Sequence, residues 1–483
     1  MPSAHAAGCL GGVESDFNGD GIRDTAIADP MATVSGRGEA GAIQIVLGGG
    51  NGVTTLSQDS PNVSDAAEAG DQFGFSLAVY DANLDGCSDI AVGMPHEDIL
   101  GVKDAGLVHL VYGSTAGIGQ GTPSLGFRQG IDGNMANTPE KEDWVGYSVA
   151  GGVSATGVPF LVIGAPGEDS SGFTDMGFAA YAYGVTPSVT TFHQDSPGVW
   201  NDAASGNRFG SAVAATSRHI VVGTPGAPIG SIDQAGAALA FKPSLNPDNI
   251  PQPLFGIGQN ATGAGDERAE TGDSFGTSVA MAPYRPSVST TTTDSLVAVG
   301  VPNEDVGAKS DAGGVQLLQI SESGSVAESQ WITQDTADVE DTAETDDYFG
   351  QRVAAVNTNH GVFSTSTTMR LAVGVPGEET SADAQDSGGV QILPMLDSAG
   401  ASDSWLRPGS GIPSAPAYRQ YVGMSVAATG SVLYVGMPYG PALGRAVYAY
   451  SWTVASGGAP SQSWKPGGGG IPAETAAFGA VVG

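Results

Sequence analysis

The sequence has 483 residues and a net charge of −34, with 51 acidic and 17 basic side chains. So acidic a chain repels phosphate backbones and anionic lipid surfaces, which argues against nucleic acid as a partner. No apolar run reaches the roughly 18–20 residues of a membrane span, so we expect no membrane insertion. The 74 Gly and 29 Pro follow no collagen-like period and indicate a folded chain with many turns.

The N-terminal residues have two interpretations. Ala4, His5 and Ala6 resemble the end of a secretory signal whose positive and apolar parts are missing, and a disordered Ala-rich start fits equally well. We therefore assign residues 1–12 to a disordered start or signal remnant, and residues 13–483 to a single domain. The signal interpretation predicts a secreted, extracellular protein, which we expect to be a monomer.

Two short signatures recur seven times each along the chain. The first is a Phe-Gly or Val-Gly pair that opens an apolar strand, with copies at Phe73, Val145, Phe209, Phe275, Phe349, Val422 and Phe478. The second is an apolar strand ending in x-x-Pro, with copies at Pro30, Pro95, Pro166, Pro225, Pro302, Pro376 and Pro438. A third and a fourth strand are predicted after each proline. Four short strands per unit, separated by Gly/Pro turns, are typical of β-propeller blades.

The two chain ends complete one another. The x-x-Pro strand before Pro30 has no Phe-Gly strand ahead of it, and the strand that follows Phe478 has no x-x-Pro strand after it. We therefore predict an all-β fold, a seven-bladed β-propeller of four-stranded antiparallel blades, closed by the C-terminal strand joining the N-terminal blade. In such a fold the repeated Phe-Gly and x-x-Pro residues pack blades and form turns.

These signatures, Phe-Gly at one strand and Gly-x-Pro at the next, resemble the FG-GAP repeats of the integrin α-subunit propeller. The resemblance extends over nearly the whole chain, from about Val13 to Gly483. It implies a seven-bladed propeller, metal loops in selected blades and an extracellular adhesion or ligand-binding role. The ligand would be a protein or a glycan, although the chain has no Arg-Gly-Asp tripeptide.

Two stretches share the pattern D-x-N-x-D-G-x-x-D, which propeller packing does not require. Alternate side chains of such a loop turn their oxygens inward, the seventh residue offers its backbone carbonyl, and the ninth carboxylate closes the site. Hard oxygen ligands favour Ca²⁺ over transition metals. Both loops lie where integrin-type propellers carry calcium. We predict two Ca²⁺ sites, with ligands Asp16, Asn18, Asp20, Ile22 and Asp24 in the first, and Asp81, Asn83, Asp85, Cys87 and Asp89 in the second.

The two cysteines leave two possibilities open. Cys9 precedes the first calcium loop and Cys87 lies inside the second, so the pair would form one disulfide in a secreted chain. Two free thiols are the alternative. In either case Cys87 is expected to serve the metal through its carbonyl, which leaves its side chain free to point outward.

Pairs of acidic residues follow four of the x-x-Pro strands: Glu97 and Asp98, Glu168 and Asp169, Glu304 and Asp305, and Glu378 and Glu379. In antiparallel blades these second-to-third connections lie at the end of the propeller opposite the calcium loops. They predict either a negative ligand-binding face for basic partners or a merely solvated surface.

Catalysis is the alternative function. A glycosidase needs two carboxylates, but acidic pairs that recur in four blades favour turn chemistry instead. We favour an adhesion or ligand-binding module that is not an enzyme. The alternative is a secreted propeller hydrolase acting on glycans or phosphodiesters, since phospholipases specific for glycosylphosphatidylinositol also carry FG-GAP repeats.

Overall fold

A computed structural model describes residues 8–130, 133–259, 268–288, 293–440 and 445–483. Residues 1–7 of the predicted N-terminal segment lie outside these ranges. The described chain forms seven sheets, with short 3-10 turns such as Gly48–Gly50 and Ala399–Ser402. The predicted seven-bladed all-β propeller is therefore confirmed.

Each blade is one antiparallel sheet whose strands follow one another in the chain. Blade 1 contains β1 (Thr25–Asp29), β2 (Ala42–Val46) and β3 (Val53–Leu56), and blade 2 contains β4 (Ser76–Tyr80), β5 (Asp89–Met94), β6 (Leu107–Val111) and β7 (Leu125–Phe127). Blade 3 contains β8 (Ser148–Val153), β9 (Pro159–Ala165), β10 (Phe178–Tyr183) and β11 (Ser188–Phe192). Blade 4 contains β12 (Ala212–Ala215), β13 (Ile220–Thr224), β14 (Ala237–Leu245) and β15 (Pro251–Ile257).

The second half of the chain continues the series. Blade 5 contains β16 (Ser278–Tyr284), β17 (Asp294–Val301), β18 (Gly314–Ile320) and β19 (Val326–Ile332). Blade 6 contains β20 (Arg352–Asn357), β21 (Met369–Val375), β22 (Gly389–Pro394), β23 (Ser404–Pro408) and a short parallel extension, β24 (Gly411–Ile412). Blade 7 contains β25 (Ser425–Ala428), β26 (Leu433–Met437), β27 (Ala446–Tyr450) and β28 (Gln462–Trp464). The last strand is β29 (Val481–Val482).

Closure of the ring occurs in blade 1, as predicted. Strand β29 pairs antiparallel with β1, with Val482 opposite Ile27 and Val481 opposite Ala28. Backbone hydrogen bonds of 2.8 and 2.9 Å join Ala26 and Gly483 in both directions. The sheet order β29-β1-β2-β3 therefore gives blade 1 its fourth strand from the far end of the chain.

The Phe-Gly signature packs each blade against the one before it. Phe73 is fully buried, and its N–H donates to the Ala40 carbonyl of blade 1 over 2.9 Å. The following glycine is required at the same seam: Gly146 has a φ of 89°, and a Cβ added there would lie 2.9 Å from the Leu107 carbonyl of blade 2. The repeated residues are thus structural, as expected.

Strand direction divides the connections between two ends of the propeller. Strand β5 runs from Asp89, which follows the second predicted calcium loop, to Met94, which precedes Glu97. The first-to-second and third-to-fourth connections therefore share one end, which we call the loop face. The second-to-third connections, the Phe-Gly turns and the links between blades share the other end, which we call the Phe-Gly face. The predicted strand parity holds.

Candidate metal loops and the opposite face

The first loop turns its side-chain oxygens toward its own interior. The two carboxylate oxygens of Asp16 accept the N–H groups of Asp20, at 3.2 Å, and Gly21, at 2.8 Å. Asn18 Oδ1 accepts the same Asp20 N–H at 3.0 Å, and Asp20 Oδ1 accepts the Ile22 N–H at 2.8 Å. The first, third and fifth positions of the motif therefore converge.

The second loop has the same geometry in a different blade. Asp81 accepts the N–H groups of Asp85 and Gly86 at 3.1 and 3.0 Å. Asn83 Oδ1 accepts the Asp85 N–H at 3.0 Å, and Asp85 Oδ1 accepts the Cys87 N–H at 2.9 Å. Two separate segments thus place their side chains alike, as expected when one motif fixes one conformation.

The ninth residue anchors each loop to its blade. Asp24 accepts the Phe17 N–H at 3.0 Å and the N–H of Gly48, in the third-to-fourth connection, at 2.8 Å. Asp89 accepts the equivalent N–H groups of Ala82 and Gly113, both at 2.8 Å. Both carboxylates are buried and stand at the start of the second strand.

The electrostatics of the loops fit a divalent cation. Burial raises the pKa of Asp24 to about 6, and the negative charges of Asp16 and Asp20 contribute to the rise. Burial likewise raises the pKa of Asp89 to about 7, with added repulsion from Asp85 and Asp81. A metal with hard oxygen preference would offset this repulsion, and the donors are carboxylate and amide oxygens only. The residues of both loops therefore fit Ca²⁺.

The structure contains the Cys9–Cys87 disulfide, one of the two possibilities left open by the sequence, with a Cα–Cα distance of 5.1 Å. The expectation that the Cys87 side chain points outward is wrong, because Cys87 is fully buried. The bridge holds the N-terminal segment against both loops: Leu10 N–H donates to the Gly19 carbonyl at 3.3 Å. The loops also touch directly, through a 2.8 Å bond from Ser88 N–H to the Asp16 carbonyl.

The acidic pairs lie on the Phe-Gly face, but the structure separates their two members. The second member is exposed in each pair: Asp98, Asp169, Asp305 and Glu379. Three of these carboxylates accept a backbone N–H six residues later, as Asp98 does from Asp104 at 2.9 Å. This is the turn chemistry that recurrence favours.

The first member of each pair does not belong to the surface. Glu97, Glu168, Glu304 and Glu378 are only 3–4% exposed. The expectation that all eight residues line the face is therefore wrong for these four. Each glutamate turns inward because a glutamine amide, contributed by the end of the preceding blade, donates a hydrogen bond to it.

An aromatic cluster on the Phe-Gly face was not predicted from the sequence. Phe75 of blade 2 contacts Tyr147 of blade 3, with ring centroids 5.2 Å apart, and His96 edge-on at 5.9 Å. Trp144 extends the cluster, 6.3 Å from Tyr147. We call these four residues the mouth cluster.

The Phe-Gly turn does not require these aromatic residues. The residue before the Phe or Val has positive φ in six of the seven copies, and its type varies: Gln72, Trp144, Arg208, Ser274, Tyr348 and Tyr421. Tyr147, which follows Gly146, is 36% exposed. The sequence signal was at the position after the glycine, where Phe75 and Tyr147 are aromatic and other repeats carry residues such as Ser211 and Thr277.

Comparisons with known proteins agree with the fold. A family model for the FG-GAP repeat matches residues 73–111, which span the Phe-Gly turn, second loop and third strand of blade 2. Integrin alpha-PS2 of Drosophila melanogaster is 30% identical over 163 residues, 32% of this chain and 11% of that protein.

No helix among the described residues has the length and apolar character needed to span a bilayer.

Phospholipases are similar over comparable stretches. Phosphatidylinositol-glycan-specific phospholipase D of Rattus norvegicus is 30% identical over 115 residues, 23% of this chain and 14% of that protein. The Bos taurus protein of the same name is 26% identical over 156 residues, 32% of this chain and 18% of that protein. The chain thus spans less than a fifth of the length of these curated relatives.

Proposed function

We propose that this FG-GAP repeat protein, whose propeller resembles that of integrin α-subunits, is a secreted calcium-binding module that binds a protein or glycan through its Phe-Gly face. The observation that carries the binding role is the mouth cluster. Its rings are partly exposed, contact one another across two blades and are not needed by the turn that holds them. Aromatic faces stack on sugar rings and attract cationic groups.

Charge favours a ligand with basic groups. The exposed carboxylates of Asp98 and Asp169 belong to the two blades that carry the mouth cluster, and the whole chain has a net charge of −34. A cationic partner would therefore be attracted over a distance of about 10 Å at moderate ionic strength. Secretion is supported by the Cys9–Cys87 bridge, since disulfides persist in oxidising compartments.

The hydrolase alternative receives support from the names of the phospholipase relatives, which describe those whole proteins. The acidic pairs give it less support. Both oxygens of Glu168 accept amide N–H groups, from Gln129 at 2.7 Å and Asn137 at 2.6 Å. Glu168 is also buried, so a substrate on the Phe-Gly face would not come within hydrogen-bond reach of this carboxyl group.

Calcium counting tests the metal part of the proposal. We expect native mass spectrometry in calcium to show two bound ions, one for each loop, because each loop offers an all-oxygen donor set. Asp20→Ala and Asp85→Ala are each expected to remove one ion. Asp98→Ala, at an exposed carboxylate of the Phe-Gly face, is the control and should keep both. A protein that binds no calcium would refute the metal assignment.

Ligand arrays test the binding part. The protein would be applied to glycans and basic peptides with calcium present, and Trp144→Ala and Tyr147→Ala are expected to weaken any hit by about tenfold or more, as for an aromatic anchor. Phe363, which is 40% exposed in a connection of the loop face, offers a matched control. Equal binding by Trp144→Ala, Tyr147→Ala and the control Phe363→Ala would show that the ligand does not bind at the mouth cluster.

A further inference from the structure

A group of one glutamine and two carboxyl residues recurs in four blades, and its members are buried except for the half-buried Gln259. The glutamine follows the outer strand of one blade. The aspartate lies two residues before the Phe or Val that opens the Phe-Gly signature of the next blade, and the glutamate is the first member of an acidic pair in that blade. We call each group an amide triad. The four triads are Gln58, Asp71 and Glu97; Gln129, Asp143 and Glu168; Gln259, Asp273 and Glu304; and Gln334, Asp347 and Glu378.

The triad of blade 3 shows the arrangement. Gln129 Nε2 donates to Glu168 Oε2 at 2.7 Å, and Asp143 Oδ2 accepts the Glu140 N–H at 2.6 Å. Asp143 lies close enough that its negative charge adds to burial in raising the pKa of Glu168. Two oxygens are left over: Gln129 Oε1 and Asp143 Oδ1 are buried and have no hydrogen-bond partner among the described residues.

The same oxygens are left over elsewhere. In the triad that contains Glu378, Gln334 Oε1 and Asp347 Oδ1 are also buried without a partner in the described part of the chain. The same holds for Gln58 Oε1 in the triad that contains Glu97. All of these orphaned atoms are acceptors. A buried acceptor without a donor is destabilising by about 1–3 kcal/mol, so an arrangement repeated in several blades is expected to find its donor in a buried water or in a protonated carboxyl, since an ionised carboxylate provides none.

In blade 4 an amide side chain occupies the position of the aspartate. Asn207 occupies the position of the triad aspartate, and its Nδ2 donates to Oε1 of Gln194, the equivalent glutamine, at 2.8 Å. The glutamate position is held by Ala227, so this blade has no buried acidic pair. With both amides turned over, Gln194 Nε2 would instead donate to Asn207 Oδ1; as placed, Asn207 supplies a hydrogen to the glutamine oxygen. An aspartate can do so only as the protonated acid.

We propose that each amide triad holds one proton at neutral pH, shared between its two carboxyl groups through the glutamine, and that these protons make the seams of the Phe-Gly face sensitive to pH. With the glutamine amide as placed, the acid proton lies on aspartate and points to Oε1. With the amide rotated by half a turn, it lies on glutamate. Either orientation needs one protonated carboxyl per triad.

Burial and most of the charged groups around the triads oppose ionisation, although Lys309 favours the ionised form of Asp347. In blade 2, Asp65 and Glu68 of the inter-blade link face Glu97 and Asp71, while Asp98, His109 and Arg128 line the adjoining cavity. Burial raises the pKa of Glu97 to about 9, and the neighbouring carboxylates add to the shift. Burial also raises the pKa of Glu168 and Glu378 to about 8.

The sign of the pH effect follows from these directions. Unfolded carboxyls release their protons near pH ~4, whereas the folded triads keep theirs to higher pH. The folded state therefore binds more protons between these limits, and its stability falls as the pH rises through the folded pKa values. For each retained proton, the folding equilibrium constant falls about tenfold per pH unit.

Asp71→Asn tests the proposal directly. Denaturant unfolding of wild type and variant would be compared between about pH 6 and 8 at saturating calcium. The introduced amide would donate to Gln58 as Asn207 donates to Gln194, so we expect the variant to fold and its pH dependence to be smaller by about one proton, or tenfold per pH unit. Asp98→Asn, in the exposed turn of the same blade, is the control and should match wild type.

Two further measurements isolate the contribution of the proton. Asp143→Asn makes the same change in the triad of blade 3 and is expected to lower the pH dependence by a similar amount; it carries the test if Asp71→Asn does not fold. Infrared spectra of the [¹³C]Asp- and [¹³C]Glu-labelled wild-type protein at neutral pH should show a protonated carboxyl. A wild-type slope in Asp71→Asn and Asp143→Asn, no protonated carboxyl band, or a slope that changes with calcium concentration would overturn the proposal.

Discussion

Chelation of calcium is expected to lower the free energy of unfolding by about 2.7 kcal/mol for each loop held at a hundredfold excess of calcium over its Kd, or about 5 kcal/mol for two loops. The reason is that the folded state alone gathers the ligands. Asp16, Asp20 and Asp24 come together in the native loop and repel one another without a cation. The first loop leads directly into β1, the strand that pairs with β29. Loss of the calcium from this loop should therefore loosen the closure of the ring first.

The measurement is a pair of melts, one with calcium and one with EDTA. Asp20→Ala should lose about half of the calcium-dependent stabilisation, and Asp383→Ala, at an exposed residue of the Phe-Gly face, should lose none. Hydrogen exchange in EDTA should show loss of protection in β29 and β1 before the strands of blades 4 and 5. Identical melting midpoints in EDTA and calcium for the wild type would contradict the prediction.

The ring and its closure could be read from the sequence because local signals repeat. Phe73 and Gly74 need a buried pocket and a positive φ whatever the rest of the chain does, and six further copies fix the number of blades. The incomplete units at the two ends then predict the pairing of β29 with β1. The positions of both loops were predictable for the same reason: nine consecutive residues contain the whole donor set.

Contacts between distant residues could not be read in this way. Glu97 is buried because Gln58, 39 residues away, donates to it, and no local pattern reveals that the side chain turns inward. The mouth cluster joins Phe75 and Tyr147 across a seam, each beside a signature that looks purely structural when read alone. Repeats thus predict the scaffold well, while departures from the repeat and the partners that lie across seams need coordinates.

Removal of the Cys9–Cys87 disulfide is expected to destabilise the protein by about 4–5 kcal/mol in the chain-entropy model, because the bridge joins residues far apart in the sequence. The sequence separation is 78 residues, so the bridge restricts a long loop of the unfolded chain. In the folded state it also holds Leu10 against Gly19 of the first loop. Cys9→Ser should therefore weaken calcium binding as well as lowering stability.

The two single variants provide the internal control. Cys9→Ser and Cys87→Ser each abolish the same bond, so we expect each to be nearly as unstable as the double variant, with strongly non-additive effects. Stability would be measured by denaturant unfolding in calcium, and the thiols by titration of the unfolded, unreduced protein. We expect no free thiol in the wild type. Two titratable thiols, or additive losses from independent single substitutions, would show that the two cysteines are not joined in solution.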